Sequence, residues 1–192
     1  MRAIICRAWG KVETLELGDL PAPIPQAGEV LIRVHAAGVN YADALMVGGT
    51  YQTRPAFPFS PGLEAAGEIQ AVGPGVEPAR IGERVMAILS HGGFAEQVTA
   101  RAHETYPLPP AMDYATAAGF PTAYVSSHVA IRWQGRLEAG ESMLVLGAAG
   151  GVGLTAVEIG KAMGATVIAG ASSVEKLAVA RERGADHLID YA

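Results

Sequence analysis

The sequence contains a single cysteine, Cys6, so no intramolecular disulfide can form. A reducing compartment fits this best, because disulfides belong mainly to secreted and periplasmic proteins. No stretch approaches the roughly 20 consecutive apolar residues that a transmembrane helix needs. The apolar run at the N-terminus is also too short for a signal peptide. We therefore expect a cytoplasmic protein that has no membrane partner.

Positive charge is scarce as well. The chain carries 14 Lys and Arg against 19 Asp and Glu, a net charge of −5, and it has no run of five or more basic residues. A nucleic-acid partner would require a basic patch, so we expect none. Half of the residues (50%) are hydrophobic, which excludes a disordered chain and supplies a substantial core.

The first 110 residues have the pattern of short strands separated by glycines and prolines. Apolar or alternating segments predict strands at residues 3–8, 13–17, 30–37, 67–73, 84–89 and 93–98. The proline-rich segment 21–25 cannot belong to a central strand, because proline lacks the N–H that pairing needs. The pattern indicates an irregular, mostly antiparallel β-domain, which we assign to residues 1–122.

The pattern changes near residue 112. Asp113 and Thr116 predict the start of a helix, and Thr122 predicts the cap of a longer helix that runs to about Trp133. Strands at 143–146, 166–169 and 187–189 then alternate with helices at 154–163 and 174–183. This alternation is typical of a parallel sheet with crossover helices. Residues 123–192 correspond to the first of the two halves of a doubly wound α/β domain.

A glycine-rich loop separates the first of these strands from its helix. Its glycines at 147, 150 and 153 allow a sharp turn, close approach of a pyrophosphate to the backbone, and tight packing of helix on strand. The helix N-terminus adds free N–H groups and partial positive charge. The alternative is a simple tight turn, but the flanking strand and helix favour a dinucleotide site. The predicted cofactor-binding residues of the loop are Gly147, Ala148, Ala149, Gly150, Gly151, Val152 and Gly153.

The second strand of the alternating region ends without an acidic residue. An NAD site normally places Asp or Glu there to bind the ribose 2′-hydroxyl. Here Ser172 and Ser173 can donate hydrogen bonds to a 2′-phosphate, and Lys176 can supply a cation. The alternative is that Lys176 is only a solvated helix residue. NADPH is therefore the predicted cofactor.

Several segments together resemble one superfamily. They are residues 38–43, 61–67, 92–96, 121–124 and 140–141, followed by the glycine loop. In this order they resemble the medium-chain dehydrogenase/reductase superfamily, and most closely its NADPH:quinone oxidoreductase (zeta-crystallin-like) branch. The resemblance covers essentially the whole chain. It implies an α/β protein, with a GroES-like antiparallel β-domain followed by the first half of a Rossmann doubly wound parallel sheet.

The same resemblance implies a zinc-free protein. Alcohol dehydrogenases of the superfamily use a cysteine near the position of Asn40 and a histidine where this chain has Leu63. The four-cysteine structural lobe of those enzymes is also missing. A catalytic zinc needs about three N or S ligands, and the five histidines of this chain are scattered along the sequence. We predict no metal site.

Candidate site residues follow from the resemblance. Asn40, Asp43, Tyr51 and Thr122 are implied around the nicotinamide and substrate, and Tyr191 with Lys176 at the adenosine phosphate end. For each polar residue the alternative is a structural hydrogen bond, and Asp43 could equally hold a short helix in place. Some relatives carry a tyrosine at the position of Leu45, so that hydroxyl is lost here or replaced by Tyr41 or Tyr51. Glu64 is expected to be structural.

The predicted function is reduction of a quinone or an α,β-unsaturated carbonyl by metal-free hydride transfer from NADPH. One alternative is an enoyl-thioester reductase of the same superfamily, and another is a non-catalytic nucleotide-binding or structural protein. The expected partner is a small quinone or enone, and the full-length enzyme is expected to be a homodimer. The nicotinamide half of the Rossmann domain is missing in this interpretation, so activity inferred from the family belongs to the complete enzyme.

Overall fold

A computed structural model describes residues 1–192, apart from the side chain of residue 79. The chain divides into two compact units, Met1–Thr122 and Ala123–Ala192. The first is mostly antiparallel β and the second alternates parallel strands with helices. The expected α/β fold class is confirmed. In the described part of the chain, no helix is both long enough and apolar enough to cross a membrane.

The first unit is organised around a five-stranded antiparallel sheet. The strands of the first unit are β1 (Arg2–Ile5), β2 (Glu16–Asp19), β3 (Glu29–Ala37), β4 (Glu64–Val72), β5 (Arg84–Ile88), β6 (Gln97–Arg101) and β7 (Thr105–Pro107). β1 pairs with β2, and the other five form the sheet in the order β6-β3-β4-β5-β7. Alternate residues of these strands point into one apolar core, which includes Val30, Ile32, Ile69, Val85 and Val98.

Several of the predicted strands were partly wrong. In the segment 3–8 the strand ends at Ile5, and Cys6 forms only an isolated bridge with Phe59. The segment 13–17 begins in a 3-10 turn, Val12–Thr14, because the N–H and hydroxyl of Thr14 both donate to the Lys11 carbonyl, at 3.0 and 2.7 Å. Only its end belongs to β2. The segment 93–98 begins in a turn in which the Phe94 N–H donates to the Pro61 carbonyl at 2.9 Å, so β6 starts at Gln97. Neither of the last two segments is therefore a continuous strand: residues 12–14 form a 3-10 turn, and residues 93–94 form a turn before an isolated bridge between Ala95 and Ala3.

Strand β4 begins three residues earlier than the predicted start at Gly67. A Cβ atom on Gly67 would lie 2.0 Å from the carbonyl oxygen of Arg33, so only glycine fits where β4 passes β3. The register between the strands shifts beside this point, between Val34 and Ala36. The early start brings Glu64 into the sheet, opposite Ile88 of β5.

The first unit also contains α1 (Tyr41–Val47) and α2 (Tyr114–Ala118). The predicted start of α2 is confirmed, because Asp113 Oδ1 accepts the Thr116 N–H at 2.7 Å. Buried Ala117 and Ala118 of α2 pack against Ala66 of β4.

The predicted cap of the next helix was wrong. α3 (Pro121–His128) starts at Pro121, which makes Thr122 its second residue rather than its cap. Proline suits the first helical position, because its missing N–H would have no partner there. The helix continues as a π-helical segment, Val129–Gln134, and so ends close to the predicted Trp133.

The second unit has the alternation that the sequence predicts. In chain order it contains β8 (Ser142–Leu146), α4 (Gly151–Ala162), β9 (Thr166–Ala171), α5 (Val174–Glu182) and β10 (His187–Asp190). The strands are parallel, in the order β10-β9-β8. Their apolar core includes Val145, Val157, Val167, Ala169 and Ala180. This is the arrangement of the first half of a doubly wound sheet.

Candidate functional site

The glycine loop between β8 and α4 makes a tight turn at the end of a parallel strand. Gly147 has a φ of +62°, a left-handed conformation that glycine adopts without steric cost. The Gly150 N–H donates to the Gly147 carbonyl at 2.9 Å, and the Ala148 N–H donates to the Gly170 carbonyl of β9 at 3.0 Å. A Cβ on Gly153 would lie 2.3 Å from the Gly147 oxygen, so α4 reaches its position against β8 only with glycine there.

The N-terminus of α4 presents backbone donors at an exposed turn. Gly150 is the cap residue, and within the described residues no side chain caps this helix end. The first helical bond joins the Leu154 N–H to the Gly150 carbonyl at 2.8 Å. The N–H groups of Gly151, Val152 and Gly153 therefore have no intrahelical acceptor. Together with the positive end of the helix dipole, they can bind an anion such as a pyrophosphate.

A small polar cluster follows β9. Ser173 caps α5 by accepting the Lys176 N–H at 3.3 Å, and Lys176 Nζ donates to the Ser172 hydroxyl at 3.1 Å. The structure thus brings together the three residues predicted to bind a 2′-phosphate. Glu175 lies in the same turn, where hydrogen bonds from its own N–H and from Ser173 lower the pKa of its carboxyl. The cation of Lys176 is therefore partly offset by a neighbouring carboxylate.

Tyr191 reaches the same edge of the sheet. Its N–H donates to the Ala171 carbonyl at 3.2 Å, and its side chain is half exposed. A Cβ on Gly170 would lie 3.3 Å from the Tyr191 ring, so the ring packs over the bare backbone of β9. Tyr191 is therefore close to the residues that precede Ser172. The part played by Gly170 was not predicted from the sequence.

In the first unit, a buried carboxylate joins two of the predicted site residues. Glu64 is 2% exposed. Its Oε1 accepts the side-chain N–H of Asn40 at 2.8 Å, and its Oε2 accepts the backbone N–H of Thr122 at 2.8 Å. Asn40 and Thr122 are distant in sequence, and Glu64 brings them into one cluster.

Asp43 is held by backbone groups. It is 4% exposed, its Oδ2 accepts the Asn40 N–H at 2.7 Å, and its Oδ1 accepts the Gly62 N–H at 3.2 Å. Burial raises the pKa of the Asp43 carboxyl, the backbone donors counteract this, and nearby Glu64 raises it further. These contacts favour the alternative in which Asp43 holds the start of α1 in place.

Tyr51 lies in an apolar environment. It packs against buried Met46, Phe59 and Leu63, and its backbone N–H donates to the Leu45 carbonyl at 3.2 Å. The structure thus groups Tyr51 with an apolar cluster, whereas Asn40 and Thr122 share the carboxylate of Glu64.

Comparison with known proteins identifies the family of the chain. The model of the alcohol dehydrogenase GroES-like domain matches residues 26–110, and that of zinc-binding dehydrogenase matches residues 151–192. Quinone oxidoreductase from Rattus norvegicus is 39% identical over 193 residues, which cover 100% of this chain and 59% of that protein. The chain belongs to the medium-chain dehydrogenase/reductase superfamily.

Other known proteins are similar in sequence or in structure. Synaptic vesicle membrane protein VAT-1 homolog from Rattus norvegicus is 35% identical, with 100% of this chain and 48% of that protein covered. The quinone oxidoreductase of Thermus thermophilus, solved alone and with NADPH, has a TM-score of 0.87 and 38% identity, with 100% and 60% covered. The chain thus spans roughly half to three-fifths of the length of these relatives.

The superfamily includes zinc enzymes, so possible metal ligands matter. Leu63 occupies the position where the zinc enzymes have a histidine ligand. It is 8% exposed and packs with Phe59 and Met46 in an apolar cluster. Across the described residues, no three His, Cys, Asp or Glu side chains lie close enough together to hold a metal ion. A metal-free mechanism stays a prediction.

Sequence reasoning expected Glu64 to be structural but did not identify the groups that it holds. One signal was available, because Glu64 is the lone charged residue in the small and apolar segment 61–67. A carboxylate buried in such a segment needs hydrogen-bond donors from elsewhere in the chain. The donors themselves could not be identified, since they come from Asn40 and Thr122.

Proposed function

We propose that the chain provides the nucleotide-binding and substrate-contacting residues of an NADPH-dependent oxidoreductase that reduces quinones or α,β-unsaturated carbonyls without a metal. The observation that carries the proposal is the exposed row of N–H groups at Gly151–Gly153, next to the end of β9. There Ser172 contacts Lys176, and none of residues 171–173 is acidic. The chain spans 59% of a quinone oxidoreductase relative, so the activity is proposed for the whole protein.

The residues present fit a dinucleotide. The glycine turn has left-handed backbone at Gly147 and no room for a side chain at Gly153, as a backbone that must approach a pyrophosphate requires. The pyrophosphate would lie on the N–H groups that begin α4. The 2′-phosphate would lie on Ser172, Ser173 and Lys176, with Tyr191 against the adenosine.

The proposed chemistry needs little from the protein beyond positioning. When bound, NADPH supplies a hydride to the acceptor, which also takes one proton from water and becomes a hydroquinone or a saturated carbonyl. A conjugated acceptor delocalises the negative charge that develops, so a Lewis acid is not required. Asn40, Thr122 and Tyr51 would contact and orient the reacting groups. Asp43 would support Asn40 by accepting a hydrogen bond from the Asn40 backbone N–H.

Chelation tests the metal-free mechanism. We expect the rate of NADPH oxidation with 1,4-benzoquinone to change by less than about twofold after dialysis against EDTA, because the proposed mechanism uses no metal. Loss of a metal Lewis acid would instead remove several kcal/mol of transition-state stabilisation and lower the rate strongly. The rate is measured by absorbance, with undialysed protein as the control. A large loss that Zn²⁺ restores would contradict the mechanism.

Replacing Lys176 with alanine tests the nucleotide assignment. We expect the Kd for NADPH to rise about tenfold, since a charged hydrogen bond to a phosphate is worth about 1.5 kcal/mol at an exposed site. The Kd for NADH should change by less than about twofold, because NADH lacks that phosphate. Both values are measured by isothermal titration calorimetry on the 192-residue chain.

Arg181→Ala is the matched control, because it removes an exposed cation from the same helix. It should leave both affinities unchanged. Equal losses for NADPH and NADH in the Lys176 variant would refute the 2′-phosphate assignment. Failure of the wild-type chain to bind either nucleotide would refute the dinucleotide site in this chain.

A further inference from the structure

We propose that Glu64 is a positioning residue, whose buried carboxylate fixes the orientation of the Asn40 carboxamide and ties it to the first turn of α3. The effect on turnover rests on the function proposed above, whereas the effect on Asn40 does not. Glu64 is the first residue of β4 and pairs with Ile88 of β5, so the sheet holds its backbone. Its side chain is 2% exposed.

The two carboxylate oxygens have different partners. Oε1 accepts from Asn40 Nδ2 at 2.8 Å, and Oε2 accepts from the Thr122 N–H at 2.8 Å. A carboxylate can only accept hydrogen bonds, so it selects the amide orientation that turns Nδ2 of Asn40 toward Glu64 and Oδ1 away from it. Glu64 thereby favours one direction of the carboxamide, the one in which Oδ1 can also take part in the capping box of α1.

The surrounding backbone leaves room for this carboxylate. A Cβ on Gly38 would lie 2.2 Å from Glu64 Oε1 and 2.5 Å from the Ala118 carbonyl oxygen. Glycine at this position lets the segment after β3 pass directly over the carboxylate. Two residues later the chain reaches Asn40, which caps α1. The absence of a side chain at Gly38 is therefore what makes room for the Glu64 carboxylate.

The backbone N–H that Glu64 accepts lies at the start of a helix. Thr122 is the second residue of α3, a position whose backbone N–H has no acceptor within the helix and here donates to Glu64. Asp43 holds the backbone N–H of Asn40, while Glu64 holds its side chain. Two buried carboxylates thus fix the backbone and the side chain of one residue. The Asp43 contact belongs to the capping box of α1, and the Glu64 contact lies outside it.

The sequence permits a direct measurement, because Asn40 is the only asparagine in the chain. Protein labelled with ¹⁵N-asparagine gives one pair of side-chain amide resonances in an NMR spectrum. In the wild type we expect two well-separated amide protons and a heteronuclear NOE close to that of the backbone. In Glu64→Gln the separation and the NOE should fall, because glutamine offers one acceptor oxygen where two donors converge.

Glu68→Gln is the matched control. It makes the same change four residues along β4, at a partly exposed residue paired with Arg33. It should leave the Asn40 resonances unchanged. If Glu64→Gln does not fold, Glu64→Asp keeps the charge but withdraws the oxygens, and should lower the NOE in the same direction. The proposal is overturned if the two Asn40 amide protons of the wild type have one averaged resonance. It is also overturned if the Asn40 resonances are the same in the wild type and in the Glu64 variants.

Kinetics test the functional consequence. Glu64→Gln should lower kcat for benzoquinone about tenfold, the effect of about 1.4 kcal/mol, with KM and NADPH affinity changed by less than about twofold. In an Asn40→Ala background the same substitution should change kcat by less than about twofold, because the carboxamide that Glu64 orients has been removed. Additive losses overturn the positioning role. These rates are measured on the whole protein, for which the activity is proposed. If the whole wild-type protein does not turn over, the proposed reductase function fails, and the NMR result still decides whether Glu64 orients Asn40.

Discussion

Gly153→Ala is expected to weaken NADPH binding about 100-fold, which corresponds to the roughly 3 kcal/mol that overpacking a rigid site can cost. The added Cβ would lie 2.3 Å from the Gly147 carbonyl oxygen and 2.9 Å from the Ala148 Cα. Both are backbone atoms that cannot rotate away, so the N-terminus of α4 must move from the end of β8. The N–H groups of its first turn would then point past the phosphates.

Gly151→Ala separates this effect from a general intolerance of the loop. A Cβ at Gly151 would meet nothing within 4 Å, and alanine is favoured over glycine in a helix by about 0.5–1 kcal/mol. This control should keep or raise the thermal midpoint and change the Kd by less than about threefold. Similar losses in both variants, measured by calorimetry, would show that packing of α4 on β8 is not what positions the donors.

Gly67→Ala is expected to lower the free energy of unfolding of the first unit by about 3 kcal/mol or more. The new Cβ would lie 2.0 Å from the Arg33 oxygen and 2.8 Å from Ile32 Cγ2, so β3 and β4 would have to separate in the middle of the sheet. Each unit contains one tryptophan, Trp9 or Trp133. Urea unfolding followed by fluorescence in a Trp133→Phe background therefore reports the first unit alone.

Gly119→Ala is the control for this measurement. It lies in the same unit, at the end of α2, where a Cβ would have open space. We expect its unfolding midpoint to stay within experimental error of the parent. An unchanged midpoint for Gly67→Ala would mean that the two strands separate locally at little cost, and that glycine is not required at this crossing.

The second unit was predictable because its signals are local. An apolar strand, a glycine turn and a helix follow one another within about 20 residues. A strand, helix and strand in succession favour a parallel pair with a crossover helix. The start of α4 was placed three residues late, at Leu154 instead of Gly151. Glycine has low helix propensity, but the packing of α4 against β8 overrides it.

The first unit was harder to predict because its strands depend on distant partners. β7 was not predicted, since it is three residues long, contains Pro107, and exists only through pairing with β5. Asn40 and Thr122 were identified through a family resemblance. The role of Glu64 could not be seen, because its partners are 24 and 58 residues away in sequence. Hydrogen bonds of this kind leave no local pattern.

The strand order of the five-stranded sheet also sets the sequence of events during synthesis. β3 pairs with β4, which follows it directly among the strands of the sheet, but its other edge pairs with β6, where Val30 lies opposite Ala100. One edge of β3 therefore stays unpaired until the ribosome has released residue 101. In the second unit each strand pairs with the next one made. Closing long loops slows folding, so the first unit should complete its sheet slowly although it is synthesised first.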